Sequence, residues 1–129
     1  MLATIYLVTA AFISVPIEDA GDGLALVYFQ EQSNNVLWTA NLDGSDRAQL
    51  LKLNSNPWDI DIDVSAGKMY WTESHSVWRA NLDGSSQERL GYWGASGLKG
   101  IAVDGKAGKL YFQEQSNNVL WTANLDGSD

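Results

Sequence analysis

The sequence predicts an all-β chain of four-stranded antiparallel blades, about three of them, and three observations carry that expectation. A tyrosine-led segment recurs at Tyr28, Tyr70 and Tyr111, so the units are spaced 42 and 41 residues apart. Short runs of alternating or β-branched residues fill each unit, and no useful length has helical periodicity. Gly and Asp close those runs at matching offsets in each copy. Four short strands in a period of about 40 residues, with Gly and aromatic markers in each, is the pattern of a β-propeller blade.

The repetition is not subtle. Residues 28–46 read YFQEQSNNVLWTANLDGSD, and residues 111–129 are the same, residue for residue. Between them, residues 70–86 read YWTESHSVWRANLDGSS, a diverged copy that lacks two residues in its middle. Such identity reflects a recent duplication or an artificial repeat. The expected organisation is a single partial propeller over 1–129, with repeats at 17–56, 57–97 and 98–129 after an N-terminal strand or leader at 1–16.

Taken in chain order, the first segment has two readings. Residues 1–15 are mostly apolar, and Thr9-Ala10-Ala11 loosely resembles a signal-peptide cleavage site. No basic residue precedes Arg47, however, and the apolar run is too short to span a bilayer. Residues 3–9 read ATIYLVT, a composition that suits a pleated strand, which is the favoured reading. The middle unit is the clearest. Residues 58–64 alternate, with Asp59, Asp61 and Asp63 on one face and Ile60 and Ile62 on the other. Ser65-Ala66-Gly67 turns the chain, residues 68–73 form a second strand and residues 76–82 a third. Asp83-Gly84-Ser85 closes that strand, since Asp can bond nearby backbone and Gly accepts positive φ. A shorter fourth strand is expected at 87–90.

A family resemblance is carried by these residues. Gly100-Ile101-Ala102-Val103-Asp104, followed by Gly108-Lys109-Leu110-Tyr111, resembles the YWTD repeat of low-density-lipoprotein-receptor class B propellers. Tyr70-Trp71-Thr72-Glu73 differs from that motif by one methylene, and the other copies depart further, as Tyr28-Phe29-Gln30-Glu31 and Tyr111-Phe112-Gln113-Glu114. The recurring Asn-Leu-Asp-Gly-Ser at Asn41, Asn81 and Asn124 fits the same family. The resemblance covers residues 17–129. It implies a ring of six blades, an extracellular or cell-surface location, and protein partners bound on a flat end.

Three blades do not close such a ring. The expected resolution is a homodimer of three-bladed halves, in which the N-terminal strand completes the partner's last blade. The competing expectation is a fragment of a longer array with no independent function.

An antiparallel meander sends alternate turns to opposite ends of a blade. One end collects the Ala-Gly-Lys and Asp-Gly-Ser turns. The other collects Asn34, Asn35, His75, Asn117 and Asn118 beside Trp58, Tyr92 and Trp93. Aromatic anchors next to amides suit a protein, peptide or glycan ligand, so these eight residues form the expected binding site. Trp58 and Trp93 also suit a purely structural role, wedged between blades.

Asp59, Asp61 and Asp63 are the candidate metal ligands, and calcium is the ion they would suit. Carboxylates two residues apart on a strand do not converge by themselves, so solvated charge lining a channel is the favoured reading, and no cofactor is expected. Catalysis has little support. His75, the single histidine, lies in a turn with Ser74 and Ser76, where neighbours cannot supply nucleophile, base and orienting acid in one geometry. A calcium-dependent hydrolase, known among other six-bladed propellers, is the alternative from a different class. The balance of 16 Asp and Glu against 8 Lys and Arg argues against nucleic acid and anionic membrane partners. Without cysteine there is no disulfide and no thiolate chemistry.

Overall fold

The computed structural model describes residues 26–129. The strand or leader expected before residue 17, including the strand at 3–9, lies outside the described residues. Three antiparallel sheets follow one another. The first holds β1 (Leu26–Glu31), β2 (Val36–Asn41) and β3 (Ala48–Lys52); the second holds β4 (Pro57–Asp63), β5 (Lys68–Glu73), β6 (Ser76–Asn81) and β7 (Glu88–Tyr92). The third holds β8 (Leu98–Asp104), β9 (Lys109–Glu114) and β10 (Leu120–Asn124). Each is a simple meander, and β4 and β8 are equivalent strands lying against each other in adjacent sheets.

The turns explain the strand ends. The Asp63 carboxylate accepts from the Ser65 hydroxyl at 2.7 Å and the Ala66 amide at 3.1 Å, holding the β4–β5 turn. Asn41, Asn81 and Asn124 repeat one closed turn, in which the Asn amide donates to the Ser carbonyl four residues on at 2.9, 2.9 and 2.7 Å. The turn glycines Gly44, Gly84 and Gly127 sit at φ of 83°, 85° and 85°, where a side chain is strained. The middle copy lacks two residues because Ser74 and His75 make a tight connection, with Glu73 paired directly to Ser76. The first copy uses its extra residues in a 3-10 turn at Gln32–Asn34. β7 runs to Tyr92, two residues beyond the strand expected at 87–90. Gly91 lies just past the expected strand end, yet it belongs to β7, and the Trp93 ring packs on it so closely that a Cβ would lie 2.4 Å away.

The core lies between the blades. Tyr28, Leu37 and Leu51 of the first sheet, with Leu53 just beyond it, pack with Ile60, Ile62, Met69, Trp71 and Ala80 of the second. Tyr70 and Val77, on the other side of the second sheet, pack with Leu98, Ile101, Leu110, Phe112 and Ala123 of the third. Neighbouring residues of a strand point to opposite faces, so Trp71 serves one core and Tyr70 the other. The consequence is visible along equivalent strands. Met69 to Glu73 of β5 are all buried, whereas β9 alternates between buried and exposed because only one of its faces is covered.

Candidate functional site

Glutamate at the fourth position of each repeat motif organises the loop end. Glu73 Oε1 accepts from the Ser55 amide and hydroxyl, both at 2.8 Å, and so ties down the loop between the first and second blades. Glu114 Oε1 does the same for the next loop, accepting from the amides of Ala95 at 2.7 Å and Ser96 at 3.0 Å and from the Ser96 hydroxyl at 3.1 Å. Its other oxygen accepts from the Trp121 indole at 3.3 Å. Burial alone would raise the Glu114 pKa, but these donors outweigh it and hold the carboxyl below its ordinary range. Glu31 accepts from the Asn34 side chain at 2.6 Å and the Trp38 indole at 2.8 Å, and pairs with Arg47. The extra methylene relative to Asp thus lets the altered motif reach neighbouring loops. Gly94, at φ 72°, is required beneath this clasp, because a Cβ there would meet Glu114 Cδ at 2.7 Å.

On the loops so held, the structure brings two expected residues together. Tyr92 is 66% exposed and stacks on the His75 ring, with centroids 5.1 Å apart and planes 21° from parallel. His75 Nδ1 lies 3.2 Å from the Gly94 carbonyl oxygen, and the His75 carbonyl accepts from the Trp93 amide at 2.8 Å. Tyr92 and His75 therefore form an aromatic step fixed to the second inter-blade loop.

The other expected residues are spread over three blades. Trp93 turns inward and meets Phe112 edge-on at 4.8 Å, wedged between the second and third blades. Trp58 is half-buried on β4, with the Lys99 ammonium over its ring, and its carbonyl accepts from Gln30 Nε2 at 3.0 Å. Lys99, which sequence reasoning missed, sits one blade repeat beyond Trp58, and burial lowers its pKa. Asn34 braces Glu31, and its carbonyl takes the Lys52 ammonium. Asn35 adopts φ 55° in the β1–β2 turn, and its carbonyl accepts from the Leu53 amide at 2.8 Å. Asn117 donates to Glu114 at 2.8 Å, and Asn118 is an exposed turn residue at φ 52°.

The aspartate triplet lies on one face, but not in solvent. Asp59 Oδ1 accepts from the Ile60 amide at 3.0 Å while Oδ2 accepts from Ile101 of the next blade at 2.9 Å. Asp61 repeats the arrangement with Ile62 at 2.9 Å and Val103 at 2.8 Å. Each carboxylate bridges equivalent amides of two successive blades. Asp63 is buried, and its carboxylate abuts Gly105 so closely that a Cβ there would lie 2.4 Å from it. Solvated channel charge is thus corrected to an inter-blade ladder. The oxygens point at backbone donors on separate strand positions, and among the described residues no three His, Cys, Asp or Glu side chains are grouped to hold a metal. Burial raises the pKa of Asp59 and Asp61, opposed by their amide bonds.

No protein-family model matches the sequence, and no curated protein does. Solved structures do match. A crystal structure of a nidogen/laminin complex, a YWTD β-propeller structure, aligns with a TM-score of 0.74 at 24% identity, covering 81% of this chain and 41% of that one. A candidate TolB from Agrobacterium tumefaciens aligns with a TM-score of 0.64 at 13% identity, over 92% of this chain and 59% of its own. This chain therefore spans less than two thirds of either. At such identities the likeness is one of fold, and it agrees with the strand order and the inter-blade cores: the chain is built of β-propeller blades.

Proposed function

We propose that the chain is a non-catalytic binding module of the YWTD propeller type, which recognises a protein partner on the flat end formed by the inter-blade loops. The observation that carries this reading is the exposed Tyr92 ring stacked on His75, above a loop held by Glu114. A large aromatic ring fixed in place beside polar loop groups offers contact area without an ordering cost on binding. The nidogen/laminin neighbour, a propeller structure in a complex, supports the same reading, and an extracellular setting is part of the proposal. A peptide or a glycan would use the same aromatic step. The module works as half of a six-bladed ring closed by a second chain.

The test is a peptide and glycan array probed with the wild-type chain, Tyr92→Ala and Trp58→Ala. Binding at this end predicts about a tenfold or greater loss of signal for Tyr92→Ala, the scale of a hot-spot truncation. Signal unchanged in both variants would move recognition away from these loops.

A further inference from the structure

We propose that the outward face of the third blade is a docking surface for a second copy of this chain, which seats the opposite face of its own first blade there. This rests on the ring reading above and states which faces meet. Because residues 28–46 and 111–129 are identical, the same side chains occur twice in one structure with different neighbours. In the first blade Tyr28, Gln30 and Leu37 face the second blade and are 3%, 8% and 0% exposed. In the third blade the same positions are Tyr111 and Leu120, at 39% and 71%, and an exposed Gln113. Over the two strands the blades share, that face matches one that already receives a blade; the part that Leu51 and Leu53 supply in the first blade has no counterpart among the described residues of the third.

The opposite face identifies the occupant. Phe29, Trp38 and Ala40 of the first blade are Phe112, Trp121 and Ala123 in the third, where they pack with the second blade and Phe112 is fully buried. Among the described residues, both faces, neither of which has a blade against it, are thus twins of faces that make blade-to-blade contacts within this chain, although Ala40 is already buried and Phe29 and Trp38 are half-buried. A second copy supplies the missing partner to each, head to tail, and a two-fold arrangement satisfies both contacts at once. On the first blade the Arg47 guanidinium lies over Phe29 and Trp38, at 5.3 and 4.0 Å from the ring centroids. Its side chain is half exposed and also pairs with Glu31 at 3.3 Å, so a docking blade must displace it.

Sedimentation velocity over a concentration series decides the matter, using the full chain beside Leu120→Lys and Tyr111→Lys, with circular dichroism as a check on folding. The expected result is a wild-type dimer whose dissociation constant rises about 100-fold or more in either variant, since a buried apolar contact is replaced by a desolvated charge. The β spectrum should persist, because both side chains are exposed in the single chain. Gln113→Arg, on the same face, asks the same question should a lysine variant unfold. A dimer that all three variants leave intact overturns the assignment of faces while leaving dimerisation in place. A wild-type monomer throughout overturns the ring itself, and Arg47 then stands as a polar cap on a terminal repeat. Neither outcome touches recognition at the loop end, which the array reads independently.

Discussion

At the scale of single residues, the aspartates of β4 bond one blade to the next. Asp59 and Asp61 each satisfy one amide of their own strand and one of the strand beyond. Asp61→Ala leaves two amides without acceptors and is expected to destabilise the chain by about 1–3 kcal/mol, measurable by urea unfolding. Their titration has a definite sign. Burial, only partly offset by the amides, places both folded pKa values above 3.8, so the folded state holds protons that the unfolded state has lost. The contribution of these groups is full below about pH 4 and fades as pH rises through the raised values. Relative to wild type, the Asp59→Asn, Asp61→Asn double variant should therefore lose stability less steeply over that window, and parallel curves would contradict the assignment. The sequence placed all three aspartates on one face correctly. It left them in water, because their amide partners lie on the following repeat and meet them only once blades stack.

Among the elements, the Asn-Leu-Asp-Gly-Ser turns offer a matched comparison. Gly84 and Gly127 each seat against the outer strand of the preceding blade: a Cβ on Gly127 would lie 2.6 Å from the Leu90 carbonyl, and one on Gly84 would lie 3.1 Å from Leu51 Cδ2. A Cβ on Gly44 meets nothing within 4 Å among the described residues. All three share positive φ, so substitution by Ala carries a common backbone penalty of about 1 kcal/mol. Gly127→Ala should cost about 1–3 kcal/mol more than Gly44→Ala, as the turn is pushed off its neighbour. Equal shifts in the unfolding midpoint would deny that seat any energetic weight. Strands of the middle unit were legible from alternation and turn chemistry alone. The continuation of β7 through Gly91 was not, since a glycine carries no strand propensity and its place is set by pairing with Val77 under the Trp93 ring. The same contact hides Trp93 from the loop end, leaving Tyr92 as the exposed ring of the pair.

For the whole molecule, protection should follow coverage. The second blade has neighbours on both sides, whereas the third is covered on one, and β10 has no further strand paired to it among the described residues. At concentrations where the chain is a monomer, amide hydrogen exchange is expected to be slowest in β5 and markedly faster in β10. At concentrations where the dimer forms, protection of the third sheet should rise, and uniform protection in the monomer would deny coverage any role. The period of the repeat announced blades clearly. Which faces would lie open was not readable, because identical segments have identical propensities and differ only in what stands beside them.

The aspartate ladder has one more consequence, for the order of the units. At the positions of Asp59 and Asp61 the third blade carries Gly100 and Ala102, which offer no side-chain acceptor to a blade placed after it. The units are therefore not interchangeable tiles. A gene shuffled so that the third unit precedes the second would keep every strand and every turn, yet lose the rungs that join inner strand to inner strand. Sequence order along the chain is in this way written into chemistry at the hub, and the third copy cannot stand in for the divergent middle one.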